Sequence, residues 1–315
     1  MKFSVIIPVH NAEATLERSV QSVARQENCE KEIILIENAS DDNSYQECLR
    51  LQAEYPSIVL QRTDRKGISH ARNLGLQQAK GDIICFCDSD DYYQDHVLEQ
   101  IEKLFVSTGA DLITTGFMYG DDKNEQYKKM PEDRYMSAGE MMGRVFNDGR
   151  VFGSVWNKFY KKEIINHCRF CEDLSLCEDT HFNIQVLTNT PDAKCFCTQL
   201  CTYYYSYNES SAAHSNDYWN WQKSFDGDKL KYIIANYRVL NDCKLPRRIR
   251  REIGYSTVGH AIYYLHTYGH EMEREKKRAL LREIRSNLFS FIIIMNKYHR
   301  RFNLTRLGWI IKELV

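Results

Sequence analysis

Four short apolar runs in the first ninety residues constrain the fold more than any other feature of the sequence. They are FSVIIPV at 3–9, EIILIEN at 32–38, IVLQRT at 58–63 and IICFC at 83–87. Each has the length and the apolar content of a buried strand, and consecutive runs are separated by segments that read as helices. Strands that alternate with helices in this way form an α/β unit with a mostly parallel sheet, covered by helices on both faces.

Helical patterns fill the gaps between these strands. The first follows a candidate cap at Asn11 and has apolar residues at helical spacing, namely Leu16, Val20, Val23 and Ala24. Further helices are predicted at 44–53, at 69–79 and from Glu178 onward, and further strands at 110–116 and 193–207. From about residue 216 the pattern is helical to the end. The chain therefore divides into an α/β domain over 1–215 and a helical, basic region over 216–315.

The charge is unevenly distributed along the 315 residues. The whole chain carries −1, which gives no general attraction to nucleic acid, yet residues 241–315 hold 16 Lys and Arg against 7 Asp and Glu. One basic cluster is Arg247, Arg248, Arg250 and Arg251, and a second is Lys297, Arg300, Arg301 and Arg306, after the apolar run LFSFIIIM. Basic amphipathic helices bind anionic membranes, so peripheral membrane contact is expected. A solvated helical face or a helix that forms a homo-oligomer is the alternative.

Cysteine usage indicates the compartment. Eleven cysteines, an odd number, are scattered through apolar runs, and no secretory signal precedes the first strand. Both features favour free buried thiols in a reducing cytoplasm over a disulfide framework. A zinc site is the alternative, although the one CxxC pair, Cys168 and Cys171, falls short of the two pairs that structural zinc sites usually have.

The acidic cluster Asp88-Ser89-Asp90-Asp91 directly follows the fourth strand. Carboxylates about 4 Å apart repel by roughly 1 kcal/mol in water and by several times that near protein. The neighbouring sequence supplies no dedicated basic partner, so a hard cation, Mg²⁺ or Mn²⁺, is the expected counter-ion. The alternative is a turn that caps the next helix, which explains one Asp better than three.

Two more polar groups follow buried strands, at Pro8-Val9-His10-Asn11 and at Glu37-Asn38. The carboxyl ends of parallel strands meet at one edge of a sheet, where such folds bind ligands, so these groups should converge with the acidic cluster. The sequence contains neither GxGxxG nor GxxxxGK[ST], which argues against a dinucleotide fingerprint and against a P-loop.

These segments, taken in order, resemble the family 2 glycosyltransferases. The resemblance rests on SVIIPVHNAEATLERSVQSV, IENASDDNS, GISHARNLGLQQAKGDIICFCDSDD and LSLCEDTHF, and it is close over about residues 2–115 and looser over 150–210. It implies a glycosyltransferase-A-like fold, in which a Rossmann-like, mostly parallel sheet is flanked by helices, with 216–315 as a C-terminal helical extension. It also implies an inverting transferase that uses a nucleoside diphosphate sugar, most often UDP-linked, and Mn²⁺ or Mg²⁺.

The resemblance also implies roles for individual residues. Those expected to bind the donor are Pro8, His10, Asn11, Glu37, Asn38, Arg72, Asp88, Trp156 and Lys158, with Trp156 against a sugar face and Lys158 at a phosphate. The expected metal ligands, in order of preference, are Asp90, Asp91 and Asp88. Asn38 stands where the family usually has an Asp that accepts a hydrogen bond from the base, and an amide oxygen can accept that bond without a charge.

Glu178 and Asp179 match the family's ED pair. The resemblance implies that Asp179 is the general base that takes the proton from an acceptor hydroxyl, with Glu178 beside it. From the residues alone, the alternative is that both are acids in the first turn of a helix, where the macrodipole stabilises negative charge.

The expected acceptor is a hydroxyl of a glycan or of a lipid-linked acceptor in cell-surface polysaccharide synthesis. The expected location is the cytoplasm, with a peripheral position on the inner face of the cytoplasmic membrane as a further hypothesis. Two alternatives stay open. A sugar-phosphate nucleotidyltransferase would usually have a Gly/Arg/Lys-rich loop after the first strand, which PVHNAEATLERS lacks. A catalytically inactive nucleotide-sugar-binding protein is the other, and the retained carboxylates argue against it.

Overall fold

The computed structural model describes residues 1–120, 126–128, 132–147, 152–206 and 226–268, together with 274, 277–278, 280–282 and 284–285. The chain divides into two compact units, Met1–Ser215 and Asn216–Val315. The first unit is α/β and contains every strand of the described residues, whereas the second is helical wherever it is described.

One mixed sheet organises the first unit. Its strands, as far as the structure describes the chain, are β1 (Lys2–Val9), β2 (Glu30–Asn38), β3 (Ile58–Thr63), β4 (Ile83–Phe86), β5 (Tyr92–Tyr93), β6 (Leu112–Gly120), β7 (Gln126–Lys128), β8 (Arg134–Ser137), β9 (Lys158–Lys161) and β10 (Lys194–Ser206). The strand order is β3-β2-β1-β4-β9-β6-β10-β5, with β7 paired to β6 and β8 to β10.

The four strands predicted from the first apolar runs form the parallel part of this sheet. Val5 in the middle of β1 lies opposite Ile33 in β2 and Cys85 in β4, and all three side chains are buried. The chain moves outward from β1 through β2 to β3, then returns to β4 on the other side of β1. This reversal creates a switch point, and the carboxyl ends of β1 and β4 border the crevice where such sheets bind ligands.

The other part of the sheet mixes directions. Strand β9 runs antiparallel between β4 and β6, while β10 is parallel to β6 and antiparallel to β5 and β8. Strands β6 and β10 agree with the predicted β segments at 110–116 and 193–207. Strand β9 was not predicted, and it brings Lys158 into the centre of the sheet.

Helices cover the sheet, as the continuous burial of the central strands requires. In the first unit they are α1 (Leu16–Ala24), α2 (Ser44–Glu54), α3 (Ile68–Gln78), α4 (Val97–Thr108), α5 (Ala138–Asn147), α6 (Lys162–Ile165) and α7 (Glu178–Asn189). The first three lie within one residue of the predicted ranges where these were given. The predicted cap is wrong. Helix α1 begins after Thr15, and Asn11 is in the left-handed region (φ 50°), where its Oδ1 accepts the N–H of Asp41 at 2.8 Å.

Close packing fixes α3 on the parallel strands. A Cβ added at Gly75 would overlap the side chain of Ile6 in β1, so no larger residue fits there without movement. Helix α3 therefore holds Arg72, on its first turns, at a defined height above the sheet.

The second unit contains α8 (Asp226–Asp242) and α9 (Arg247–Tyr268), which pack on each other. Of the first basic cluster, Arg250 is half-buried and donates to the carbonyl of Cys243 at 3.2 Å, and the other three arginines are exposed. The second cluster and LFSFIIIM lie outside the described residues. Across the described ranges, no helix combines the length and apolar character of a membrane span.

All eleven cysteines fall within the described part of the chain, and all are free thiols. Seven are buried and four are half-buried. Burial raises the pKa of the Cys85 and Cys195 thiols to about 12, so these groups stay protonated and behave as small apolar side chains.

Candidate active site

The polar groups predicted at the strand ends meet at one edge of the sheet. Pro8 lies inside β1, and His10 follows the strand as an exposed side chain. The Nδ1–H of His10 donates to the carbonyl oxygen of Asn38, at the end of β2, at 2.8 Å. The sequence therefore located this juxtaposition correctly, although the His10 side chain contacts the backbone of Asn38 rather than its side chain.

The end of β2 is built from two buried polar side chains. Glu37 accepts the N–H of Ser40 at 2.7 Å and forms an ion pair with Arg62 at 3.0 Å. Asn38 binds the backbone of Gly67 twice, with its Oδ1 accepting the N–H at 3.2 Å and its Nδ2 donating to the carbonyl at 2.7 Å. Gly67 has φ 137°, a conformation that favours glycine. Asn38 thus fixes the turn before α3, and a contact with a nucleobase would use its remaining lone pair.

The acidic turn after β4 is held by its backbone. Ser19 of α1 donates to the carbonyl of Asp88 at 3.2 Å, and the N–H of Asp88 donates to the hydroxyl of Tyr203 at 2.9 Å. Arg18 donates to the carbonyl of Asp90 at 2.8 Å. These bonds come from α1 on one side and β10 on the other, so the surrounding structure fixes the backbone of the acidic turn.

Asp91 is the most enclosed acid of this turn, with 1% of its surface exposed. Its Oδ1 accepts the N–H of Ser206, the last residue of β10, at 2.8 Å. Its Oδ2 is buried and makes no hydrogen bond within the described residues. Burial, together with the charges of Asp90 and Asp88, raises the pKa of Asp91 well above its ordinary value.

A single buried guanidinium joins the acidic turn to the ED pair. Arg72 donates through Nη2 to Asp88 at 2.9 Å and through Nη1 to Glu178 at 2.9 Å and to Asp179 at 2.6 Å. Its side chain is 2% exposed, and its guanidinium carbon lies 5.4 Å from the ring centre of Phe170. The expectation that the acidic cluster lacks a basic partner is therefore wrong for Asp88. The partner lies 16 residues earlier, on α3.

Asp179 lies at the start of α7, preceded by Cys177 in the left-handed region (φ 61°). Its Oδ1 binds Arg72, and its Oδ2 accepts the N–H of Val155 at 3.2 Å. Burial raises the pKa of Asp179 to about 7, although Arg72 lowers it, and the neighbouring charge of Glu178 adds to the rise. A carboxyl group with a pKa near 7 can accept and return a proton at neutral pH.

Trp156 and Lys158 are more enclosed than a direct role at the donor requires. Trp156 stacks on Tyr203, with 4.7 Å between ring centroids, and Tyr205 lies 5.6 Å away. Lys158 is fully buried, and its Nζ donates to the carbonyl of Ser154 at 2.6 Å. Burial lowers the pKa of Lys158 to about 7. Its Nζ faces protein oxygens in this structure, and its contact with a phosphate stays a prediction.

Several residues that build this site were missed by sequence reasoning. They are Arg18 and Ser19 of α1, Tyr203 and Ser206 of β10, and Asn183 of α7. The last offered a usable signal, since Asn183 is a polar residue between the apolar Phe182 and Ile184 of a helix. A buried Asn requires hydrogen-bond partners, which marks it as part of a network.

The donor set at the acidic turn fits a hard cation that arrives with its substrate. No three or more His, Cys, Asp or Glu side chains within the described ranges are grouped so that they could hold a metal ion. Mg²⁺ commonly takes one or two carboxylates and completes its shell with water and substrate phosphates. The buried Oδ2 of Asp91, beside Asp88 and Asp90, supplies oxygens of that kind.

Comparison with known structures identifies the fold. The Staphylococcus aureus protein TarS (1–349), solved in complex with UDP-GlcNAc, is similar with a TM-score of 0.67 and 17% identity, over 92% of this chain and 82% of that one. The mannosyltransferase PcManGT from Pyrobaculum calidifontis, in complex with GDP-Man and Mn²⁺, gives 0.54 and 15%, over 98% and 82%. The α/β sheet with flanking helices is the glycosyltransferase-A fold, as predicted.

Sequence comparison identifies the family. The model for glycosyl transferase family 2 matches residues 4–169. The uncharacterized glycosyltransferase EpsJ of Bacillus subtilis is 26% identical over 197 residues, which covers 61% of this chain and 57% of EpsJ. The chain thus spans little more than half the length of that relative. Because the family match takes in more than half of the chain, the protein belongs to glycosyl transferase family 2.

Proposed function

We propose that the protein is an inverting transferase that moves a sugar from a nucleoside diphosphate donor to an acceptor hydroxyl. The observation that carries this proposal is the buried Arg72, which joins Asp88 of the acidic turn to Glu178 and Asp179. The acidic turn is the expected donor side and the ED pair the expected acceptor side. The guanidinium of Arg72 pairs with acids on both sides. The expected donor side and the expected acceptor side are therefore separated by a single side chain.

The proposed chemistry is one direct displacement. The acceptor hydroxyl transfers its proton to Asp179 as its oxygen forms a bond to the anomeric carbon. The bond from that carbon to the diphosphate oxygen breaks on the opposite face, so the configuration inverts and a nucleoside diphosphate leaves. Asp179 is suited to this role because each of its oxygens is held by one donor and keeps a lone pair for the incoming hydroxyl.

The donor is proposed to lie along the strand ends. The nucleoside would contact Pro8, His10, Asn11, Glu37 and Asn38, at the ends of β1 and β2. Asp90 and Asp91, with Asp88, would hold Mn²⁺ or Mg²⁺. When bound, such a cation neutralises the departing diphosphate as a Lewis acid. UDP is the proposed nucleotide, supported by the UDP-GlcNAc in TarS, and the Mn²⁺ in PcManGT supports the cation.

The acceptor is proposed to be a glycan or a lipid-linked molecule in cell-surface polysaccharide synthesis. A peripheral membrane position would suit such an acceptor, and the exposed arginines of α9 supply positive charge for it. Sedimentation of the intact protein with anionic vesicles at low salt tests this part. Protein that stays in the supernatant removes the membrane hypothesis, and light scattering then tests the homo-oligomer that is its alternative.

The test of the proposed reaction is a panel of nucleotide sugars incubated with Mn²⁺ and scored by nucleoside diphosphate release. Steady release, lost in Asp179→Asn and kept in the control Asp192→Asn on the exposed turn after α7, is the expected result. Retained turnover in Asp179→Asn would refute the base. Binding without turnover, even with acceptors, would indicate an inactive binding protein. Pyrophosphate release from a nucleoside triphosphate and a sugar phosphate would indicate a nucleotidyltransferase.

A further inference from the structure

One peptide group lies between the buried side chain of Lys158 and the proposed base. The peptide that joins Ser154 to Val155 donates through its N–H to Oδ2 of Asp179 at 3.2 Å. Its carbonyl oxygen, on Ser154, accepts from Nζ of Lys158 at 2.6 Å and from Nδ2 of Asn183 at 3.2 Å. The same amide plane is thus held at its oxygen by two side chains and points its N–H at the carboxylate.

Both side chains that hold the carbonyl are enclosed and firmly oriented. Asn183 is 1% exposed, donates also to the carbonyl of Gly153 at 2.6 Å, and accepts the hydroxyl of Tyr160 at 2.7 Å. Lys158 is 0% exposed and donates also to Oδ1 of Asn157 at 3.1 Å. Each amide or ammonium group is therefore fixed by contacts to more than one residue, and neither can turn away without leaving a buried polar group unsatisfied.

The geometry of the peptide transmits this order to Asp179. A trans peptide is planar, so fixing the direction of its carbonyl fixes the opposite direction of its N–H. Donors on the carbonyl oxygen also polarise the amide and strengthen the N–H as a donor. The segment lies tightly against the first turn of α7, since a Cβ added at Gly153 would fall 2.9 Å from Oγ1 of Thr180.

We infer that Lys158 and Asn183 are positioning residues for Asp179, which act by holding the Ser154–Val155 peptide so that its N–H fixes one oxygen of the carboxylate. The inference rests on the proposed role of Asp179 as the base. It assigns Lys158 a function other than the phosphate contact expected from the sequence. It also gives a reason for the presence of a lysine at the centre of the sheet, where burial of its amino group is unfavourable.

The charged groups around Asp179 determine how a substitution at position 158 changes the pKa of its carboxyl group. The charged and titratable groups that face this carboxyl are Arg72 of α3, Asp88 after β4, Lys158 and Tyr160 of β9, and Glu178 and Cys177 at the start of α7. Below its pKa of about 7, Lys158 carries a positive charge, which Lys158→Met removes. The substitution also weakens the N–H donor, and both changes favour the protonated carboxyl. The pKa of Asp179 should therefore rise, and the acid limb of the kcat/KM profile should move to higher pH.

The test compares Lys158→Met, Lys158→Arg and Asn183→Ala with a matched control, Lys161→Met. Lys161 lies on the same strand, but its ammonium pairs with Asp111 at 2.9 Å. The measurements are kcat and KM for nucleoside diphosphate release from the fastest donor of the panel, the pH dependence of kcat/KM, and the Kd for UDP with Mn²⁺.

The expected pattern separates positioning from binding. Lys158→Met and Asn183→Ala should lower kcat roughly 10- to 100-fold, while the Kd for UDP changes by less than about twofold. Lys158→Arg should recover most of the loss, and Lys161→Met should match the wild type. Exchange of the Val155 amide hydrogen, measured without substrate, should accelerate about tenfold or more in the two damaging variants.

Three results would overturn the inference. They are an unchanged kcat and pH profile in both damaging variants, a fall in kcat matched by an equal loss of UDP affinity, and full protection of the Val155 amide. If Lys158→Met does not fold, Asn183→Ala carries the test on the same criteria. Asp179→Asn distinguishes a failure of the proposed base from a failure of the positioning role. Turnover retained there removes the base itself, whereas turnover lost there but normal in Lys158→Met and Asn183→Ala removes the positioning role alone.

Discussion

Replacing Arg72 with Met should destabilise the protein by about 3 kcal/mol at pH 8 and by much less at pH 5.5. Arg72 is the common partner of three carboxylates, at 2.9 Å from Asp88, 2.9 Å from Glu178 and 2.6 Å from Asp179. A Met side chain fills much of the same space without a charge. The three acids then face one another with no cation among them.

The magnitude follows from the burial of the partners. Removing one member of a buried ion pair costs about 3–5 kcal/mol, because the remaining charge stays uncompensated. The acids are partly accessible here, with 22% of the Asp88 side chain, 14% of Glu178 and 17% of Asp179 exposed. Water therefore screens part of the repulsion, which favours the lower end of the range.

The pH dependence has a definite sign. Burial raises the pKa of Asp179 to about 7, and Arg72 lowers it against that trend. In Arg72→Met the folded-state pKa of Asp179 rises further, so the variant binds a proton there sooner as the pH falls. Protonation relieves the repulsion, so the difference in unfolding free energy between wild type and variant shrinks as the pH falls from the variant's pKa, above 7, to the wild-type pKa of about 7.

Urea denaturation of the full chain at the two pH values, followed by circular dichroism, measures this difference. The control is Arg50→Met, whose side chain is 45% exposed and pairs with Glu47 and Glu54 on its own helix. Exposed pairs contribute about 0–1 kcal/mol, so this variant should change little at either pH. A difference for Arg72→Met below about 1 kcal/mol at both pH values, or one that grows as the pH falls, would refute the reasoning.

Three further results are expected. The kcat/KM of the wild type should rise with pH through an apparent pKa near 7, because Asp179 accepts a proton only when ionised, and a flat profile over about pH 5.5 to 8.5 would exclude it as the base. Gly75→Ala should lower the unfolding free energy by about 1–3 kcal/mol, because the added methyl group overlaps Ile6. Gly139→Ala should raise it by up to about 1 kcal/mol, because the nearest atom to the added methyl group, Oγ of Ser137, is 4.0 Å away. Thermal denaturation compares the two variants. Chelation with EDTA should stop nucleoside diphosphate release and Mn²⁺ should restore it, and full activity after exhaustive chelation would mean that the reaction needs no cation.

The parallel half of the fold was predictable because its signal is local. The run at 58–63 corresponds to β3 (Ile58–Thr63), and the other three early strands differ from their predicted ranges by one or two residues. Strand β9 was not predictable in this way. Its sequence KFYK is short, and its strand conformation comes from β4 and β6, which pair with it from both sides. Such a strand is defined by tertiary contacts rather than by a periodic pattern.

The same distinction holds in the candidate site. Polar groups at the ends of parallel strands can be placed together from topology alone, which explains the correct grouping of His10 with Asn38. The ion pairs of Arg72 join residues 16 and 107 positions apart, and such pairs leave no local pattern. The acidic cluster was therefore assigned a metal as its counter-ion, when one of its carboxylates already had a partner inside the protein.

The division of the sheet into a parallel half and a mixed half has an evolutionary consequence. The proposed nucleotide contacts come from β1 to β4, whereas α7, β9 and the segment before β9 carry most of the surroundings of Asp179. Gly109, at the end of α4 with φ 63°, lies at the junction between these halves in the sequence. Recombination near that point would exchange the surroundings of Asp179 as a block, together with Tyr203 and Ser206 of β10, which hold the acidic turn. Arg72 is the element that both parents of such a hybrid would have to share.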